Sequence, residues 1–198
     1  MSIFLLNRFH LLDVEGIEMD DSLTAFADAM RSAWSPISTA LVGECRTQLT
    51  ALMRADPREQ WLADLLAERP ASRELFRDPE HGFMLLAHTE PSALYRPPHN
   101  HGRAWVVYAV QSGALEIGTY AKIMGPDGVI RLVQRELTLL IAGEARAYLP
   151  GDIHDTRCLD DSSLLFRFTE RDLRHEDQQE RQITRFVESD GYWTVPTS

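Results

Sequence analysis

From residue 82 onward the sequence consists of short runs of β-branched and aromatic residues separated by turn residues. Such runs favour β-strands, and Gly125-Pro126-Asp127-Gly128 joins a proline that presets φ to a glycine that accepts positive φ. The strands follow a helical region instead of alternating with helices. This order disfavours a doubly wound α/β fold and predicts a barrel or sandwich. The predicted strands are residues 83–88, 104–110, 115–124, 129–140 and 163–169.

Before the strands, residues 22 to about 78 are predicted to be helical. Asp21 or Ser22 can cap the first helix, and Pro36 and Asp56-Pro57 separate the segments. The apolar faces of these helices are predicted to pack on a barrel wall. Their apolar residues at helical spacing are Leu23, Phe26, Met30 and Trp34; Leu41, Cys45, Leu49 and Leu52; and Trp61, Leu62, Leu65 and Leu66.

The chain is predicted to form a single, mainly β domain over residues 1–198. A length of 198 residues with 44% hydrophobic content is sufficient for one core. Residues 171–182 are too polar to enter that core and predict a solvated loop or exposed helix, whereas Tyr192-Trp193 are predicted to cover a sheet edge. The predicted parts are a helical layer at about 20–78, a barrel at about 80–170 and a C-terminal extension at 171–198.

Charge and cysteine content limit the partners. The chain has 20 basic and 30 acidic residues, and a formal net charge of −10 repels phosphate backbones and anionic lipids. Neither nucleic acid nor a membrane is therefore an expected partner. Cys45 and Cys158 do not make a disulfide framework, and the apolar run at residues 3–6 is too short for a signal peptide. We expect a cytoplasmic protein.

Two histidine-containing segments predict a metal site. His99 and His101 lie two residues apart, and such residues on a strand project from the same face. His154 follows the turn Pro150-Gly151. Histidine is the commonest neutral metal ligand, and three imidazoles leave positions open for substrate. Taken alone, each of these histidines could instead be an ordinary polar residue at the rim of a barrel. His88 has no other histidine at the spacing expected of metal ligands.

The two segments resemble the two motifs of the cupin superfamily, whose fold is a double-stranded β-helix, or jelly-roll, barrel. Residues 99–113 are similar to the first motif of the cysteine dioxygenase-like (thiol dioxygenase-like) branch, which binds its metal with three histidines. The glutamate that many cupins use as a fourth ligand would fall at Trp105 or Val106. The resemblance implies Fe(II) held by the three histidines. Zn, Ni and Mn are alternatives, because ligand type alone does not select the metal.

The same resemblance implies a non-haem iron dioxygenase acting on a small thiol or carboxylate-bearing substrate with dioxygen. Arg73 lies where cysteine dioxygenases carry a carboxylate-binding arginine, and Arg167 lies where their late strand has a tyrosine. A planar guanidinium can hold a carboxylate by two hydrogen bonds. Arg167 interrupts an apolar run, where an unpaired charge is costly, whereas Arg73 also suits an exposed helix. Tyr108 is a candidate hydroxyl donor or a packing residue.

Three further residues near the motifs have open roles. Asp155 follows the third histidine and either orients an imidazole or is exposed. Cys158 either reaches the metal as a thiolate or is a small buried hydrophobe. Asn100 is predicted to point away from the metal and to make a turn or edge hydrogen bond.

Two other functions fit the same sequence. One is a metal-dependent cupin lyase or isomerase in which Zn, Ni or Mn acts as a Lewis acid without oxygen. The other is a non-catalytic cupin that binds a small ligand. A homodimer is expected only by analogy, since barrels with exposed edges often self-associate.

Overall fold

The computed structural model describes residues 21–196, and the apolar run at residues 3–6 lies outside them. Helices precede the strands, as the apolar spacing predicts. Asp21 caps the first helix by accepting a hydrogen bond from the Thr24 amide at 2.8 Å. Within the described part of the chain, no helix has the length and apolar character needed to cross a membrane. The N-terminal helices are α1 (Ser22–Ala33), α2 (Thr39–Leu52) and α3 (Gln60–Glu68).

Two antiparallel sheets form the barrel. The strands are β1 (Arg73–Arg77), β2 (Met84–Pro91), β3 (Tyr95–His99), β4 (Val106–Ser112), β5 (Ala114–Met124), β6 (Ile130–Ile141), β7 (Ala145–Tyr148), β8 (Ile153–Cys158), β9 (Ser162–Thr169), β10 (Val187–Ser189) and β11 (Tyr192–Thr194). Their order is β1-β2-β9-β4-β7 in one sheet and β10-β11-β6-β5-β8-β3 in the other. Strands distant in the chain are neighbours in both sheets, as in a jelly roll. The predicted jelly-roll barrel with a helical N-terminal layer is confirmed.

The helical prediction extends too far along the chain. Residues 73–77 form the edge strand β1, which pairs with β2, and not the end of a helix. Arg69 adopts a left-handed conformation with φ 46° and ends α3, and Pro70 follows it. Pairing with β2 therefore makes this segment a strand, although its local sequence pattern predicts a helix.

Strands β3, β7, β8 and β10 lack the apolar alternation that reveals a strand in a sequence. In β3, Pro97 and Pro98 lie at a sheet edge, where a missing amide is tolerated. In β8, the polar residues His154, Asp155 and Thr156 are all buried. The two strands that carry His99 and His154 are thus among those that the local pattern does not predict.

The helices pack on the outer face of the first sheet, as predicted. Between the two layers lie fully buried aromatic residues, among them Phe83, Trp105 and Phe166. A second cluster, including Tyr108 and Ile117, fills the space between the two sheets. The helical layer therefore stabilises from outside the sheet whose inner face forms part of the candidate site.

The C-terminal extension is more buried than its composition predicts. Its helix α4 (Leu173–Gln178) buries Leu173 and Glu176, so the prediction of a wholly solvated segment is wrong at these residues. Burial of Glu176 is tolerated because the Arg103 guanidinium donates to its carboxylate at 2.9 Å. The predicted return to a sheet edge is confirmed, since β11 pairs with β6 through Thr194 opposite Arg131.

Asp78 fixes the turn between β1 and β2. Its buried carboxylate accepts hydrogen bonds from the amides of His81 at 2.7 Å and Glu80 at 3.1 Å, and from Arg31 at 2.7 Å. Burial alone raises the pKa of this carboxyl, but the His81 amide and the Arg31 guanidinium outweigh it and hold the pKa below its usual value. Ionised Asp78 therefore stabilises the fold above the unfolded-state pKa of about 3.9, and this stabilisation is lost as the pH falls.

Replacing Asp78→Asn is expected to lower the free energy of unfolding by about 1–3 kcal/mol at neutral pH, because hydrogen bonds to a charged acceptor are lost. The difference from wild type should narrow as the pH falls from about 4 through the lower pKa of folded Asp78, where the carboxyl also becomes neutral. Urea denaturation at neutral and acidic pH measures both values. Asp28→Asn removes an exposed partner of Arg31 and is a control with little expected effect. Equal destabilisation at both pH values would contradict the role given to the charge.

Candidate metal centre

The three predicted histidines converge at one end of the barrel. His99 ends β3 and lies directly opposite His154 of β8. His101 lies just beyond the end of β3, before Gly102, which adopts a φ of 63°. One nitrogen from each ring lies within 4.8 Å of the others. His99 and His101 therefore converge because the chain turns after β3, and not because both belong to one strand.

The site keeps its imidazoles neutral. His101 and His154 are buried, and burial lowers the pKa of all three rings. The Nδ1 of His99 donates to the Pro97 carbonyl at 2.8 Å, which leaves its Nε2 with a lone pair. Neutral imidazoles with available lone pairs are the form that binds metals.

Buried nitrogens without partners show that the residues fit a metal ion. Within residues 21–196, both ring nitrogens of His154 and the Nδ1 of His101 have no hydrogen-bond partner. A buried polar atom in this state costs free energy unless something else binds it. A metal held by His99, His101 and His154 would satisfy such nitrogens. Among the described residues, the group with ligand spacing contains imidazoles alone.

Two tyrosines line the histidine cluster. The Tyr108 hydroxyl lies 3.2 Å from the Nε2 of His101, so this predicted hydroxyl donor is beside a ligand. The Tyr148 ring packs against His154 with 4.0 Å between ring centroids. Burial raises the pKa of Tyr108, and its hydroxyl therefore keeps its proton at neutral pH.

A cavity of about 610 Å³ opens beside the histidines. His99, His101 and Tyr108 form part of its wall, and Leu173 and Phe186 of the C-terminal extension form another part. A wider surface groove of about 960 Å³ between α2 and β7 lies away from these residues. The cavity at the histidines is the one with the chemistry of a site.

Arg167 faces this cavity from the first sheet. It lies directly opposite Tyr108 in the pairing of β4 with β9. Its Nε is buried and has no hydrogen-bond partner in the described part of the chain. Burial lowers the pKa of the guanidinium, yet arginine stays charged at neutral pH. Arg167 can therefore donate to an anionic group held in the cavity.

The other predicted arginine lies elsewhere. Arg73 forms an ion pair with Glu68 of α3 and is not among the residues that line the cavity. Arg96 lines the cavity but is held by Glu90 at 2.8 Å. The structure therefore brings Arg167 to the histidines and places Arg73 outside.

A C-terminal strap, residues 183–186, holds the loop that carries the histidines. The Asn100 side-chain oxygen accepts hydrogen bonds from the amides of Thr184 at 2.9 Å and Gly102 at 3.1 Å. The Phe186 amide donates to the Pro98 carbonyl at 2.9 Å. As predicted, Asn100 makes turn and edge hydrogen bonds. The sequence gives no signal that its partner is the C-terminal strap.

Asp155 and Cys158 contact other groups. The Asp155 carboxylate is buried and accepts hydrogen bonds from Tyr95 at 2.9 Å, Tyr120 at 2.7 Å and the Gly118 amide at 2.7 Å. It thus joins β8 to β3 and β5 and is neither exposed nor bonded to an imidazole. The Cys158 thiol lies in the cluster between the two sheets and donates to the Glu90 carbonyl at 3.4 Å. Cys158 is therefore a small buried residue, as the second of its two predicted roles has it.

Neither a protein-family model nor a curated protein matches the sequence. The cupin domain of Schizosaccharomyces pombe Cnp3 is a similar solved structure, with 10% identity over 55% of this chain and 65% of that chain and a TM-score of 0.40. KdgF from a Halomonas species shows 20% identity over 51% and 78% of the two chains, with a TM-score of 0.39. Oxalate oxidase in complex with the substrate analogue glycolate shows 20% identity over 50% of each chain and a TM-score of 0.36. Nothing about activity follows from these likenesses.

The strand order and the histidine cluster define the class of protein. The chain is a jelly-roll barrel with a candidate metal site at one end of the space between its sheets. Within that class, the site is of the three-histidine kind, since the cluster found in residues 21–196 contains no carboxylate. This assignment comes from the structure itself and does not depend on the partial likenesses.

Replacing all three histidines by alanine is expected to abolish metal binding, whereas wild-type protein, as purified or after reconstitution, should hold close to one metal per chain. Elemental analysis of both proteins measures this. His175→Ala changes an exposed histidine and is a control that should keep the metal. Wild-type protein that takes up no metal would contradict the site.

Asn100→Ala is expected to weaken metal binding by roughly 10–100-fold, because the loop that carries His99 and His101 loses its acceptor. The free energy of unfolding should fall by about 1 kcal/mol, since two partly buried amides lose their partner. Competition with a chelator and urea denaturation measure these effects. Thr184→Ala keeps the backbone amide and should resemble wild type. Unchanged metal affinity in Asn100→Ala would show that the strap does not position the ligands.

Proposed function

We propose that this protein is a non-haem Fe(II) dioxygenase, resembling the thiol dioxygenases, that acts on a small thiol or carboxylate-bearing substrate. One observation carries the proposal: His99 and His101, which form a cluster of neutral imidazoles with His154, share a cavity with Arg167, whose buried Nε lacks a hydrogen-bond partner among the described residues. In such a site the histidines can bind a metal, and Arg167 can bind an anionic group. The similarity of residues 99–113 to the thiol dioxygenase motif adds the reaction type.

The residues of the chain bind and orient the substrate. Arg167 donates hydrogen bonds to the substrate carboxylate and fixes its direction relative to the histidines. Tyr108 holds its hydroxyl proton beside His101 and donates it to a substrate atom placed there. Fe(II), when bound by the histidines, supplies the one-electron chemistry that dioxygen requires.

The C-terminal extension limits access of water to the reacting groups. Leu173, Ile183 and Phe186 line the cavity and add apolar surface to one wall. The strap is held by backbone hydrogen bonds on both sides of His99. A reaction that uses dioxygen benefits from such a cover, since water would otherwise compete for the open positions.

Iron-loaded protein is expected to consume oxygen with cysteine or 3-mercaptopropionate. Arg167→Met should raise KM roughly 10–100-fold, because the substrate carboxylate loses a charged donor. Arg73→Met removes the same charge outside the cavity and should leave KM close to wild type, so it is the matched control. An oxygen electrode under steady-state conditions measures both.

Each outcome separates the proposal from its alternatives. No oxygen uptake with any small thiol would remove the thiol assignment. Turnover that survives strict anaerobiosis with Zn, Ni or Mn bound would favour a lyase or isomerase. A raised KM in Arg73→Met alone would transfer the carboxylate-binding role to that residue. Specific ligand binding without turnover would indicate a non-catalytic barrel.

A further inference from the structure

His88 lies on the inner face of the first sheet beside Arg167. It is directly opposite Leu165, whose side chain is in the barrel interior, and Arg167 is two residues farther along the same strand. Residues placed diagonally in this way are within reach of long side chains. Both His88 and Arg167 line the cavity at the histidine cluster. The position of His88 depends on sheet register, which its sequence spacing does not reveal.

The two side chains present one acceptor and one donor to the cavity. The Nε2 of His88 and the Nε of Arg167 are buried, and neither has a hydrogen-bond partner within residues 21–196. The Ala71 backbone favours the protonated form of the His88 ring, as a carbonyl acceptor does. With the single ring proton on Nδ1 toward Ala71, Nε2 carries the lone pair. Arg167 has donors alone.

Cations surround this pair. Burial, followed by the charges of Arg167 and Arg96, lowers the pKa of His88 to about 3, so the ring is neutral. Glu90 and Asp177, the acidic side chains lining the cavity among the described residues, are both ion-paired with arginines. The field that opposes protonation of His88 also opposes an ammonium group placed beside it.

We propose that this wall of the cavity binds a carboxylate whose neighbouring carbon carries a hydroxyl group. The carboxylate accepts a hydrogen bond from the Nε of Arg167, and the hydroxyl donates to the Nε2 of His88. Both buried atoms then gain the partner that they lack. The inference rests on the proposed function, since it names the substrate class of the same site: a 2-hydroxy acid that also carries the reactive thiol.

Three small acids that differ at one position test the assignment without thiol chemistry or oxygen. Metal-loaded protein under nitrogen is titrated with L-lactate, propionate and L-alanine, and dissociation constants are measured by NMR or calorimetry. Lactate is expected to bind about fivefold more tightly than propionate, the effect of one added hydrogen bond. Alanine is expected to bind more weakly than lactate, because its ammonium group meets the cations.

Variants assign the preference to His88. His88→Phe keeps an aromatic ring without the acceptor and should lower the lactate-to-propionate affinity ratio about fivefold relative to wild type. His88→Gln restores an acceptor and should recover part of the preference. His81→Phe changes a histidine that is not among the cavity-lining residues and should keep the full fivefold ratio. Lactate can chelate the metal through its hydroxyl and propionate cannot, but this difference is common to all variants, so the change in the affinity ratio between variants reports the role of His88.

The outcomes separate this inference from the proposed function. Equal affinities for lactate and propionate in wild type, or a full preference in His88→Phe, would overturn the subsite. Failure of all three acids to bind would also overturn it. If His88→Phe unfolds, restoration of the preference in His88→Gln supports the subsite and its absence opposes it. A preserved lactate preference in a protein that consumes no oxygen with any thiol would keep the subsite and remove the dioxygenase.

Discussion

The antiparallel pairing of β3 with β8 is the constraint on which the site depends, because it places His99 directly opposite His154. Opposed residues in such a pair have Cβ atoms about 4.5–5.5 Å apart, so two ligands meet without the help of a flexible loop. The turn after β3 then brings His101 to them, and Asn100 holds this turn. A register slip of one residue would turn His154 to the outer face of its sheet.

The charge around the cavity is opposite in sign to the net charge of the chain. The protein has a formal net charge of −10, yet its cavity presents cations. Glu90 and Asp177 are neutralised by neighbouring arginines, which leaves the guanidinium of Arg167 to face the interior. The same burial keeps the ligand imidazoles neutral. One environment thus keeps imidazoles in the form that binds metals and attracts an anionic group.

How far the sequence predicts this site depends on how local each signal is. The His99 motif and the turn before His154 are short patterns, and Arg167 is conspicuous because it interrupts an apolar run. His88 has no such local signal, since its partner lies on a strand far along the chain. Burial of Glu176 is also not predictable, because only the folded chain brings Arg103 to it. The sequence predicts residues that belong to short local motifs, whereas it does not predict strand register or contacts across the barrel.

The strap contacts the loop that carries His99 and His101, and this contact affects the order in which the protein folds. Synthesis proceeds from the N-terminus, so the helical layer and most barrel strands leave the ribosome before residues 184–186 can reach Asn100. Contacts between such distant segments form late. Capture of a metal at the three histidines would therefore be among the last steps of maturation. A chain shortened before the strap would keep its main core and would hold a metal at this site less tightly.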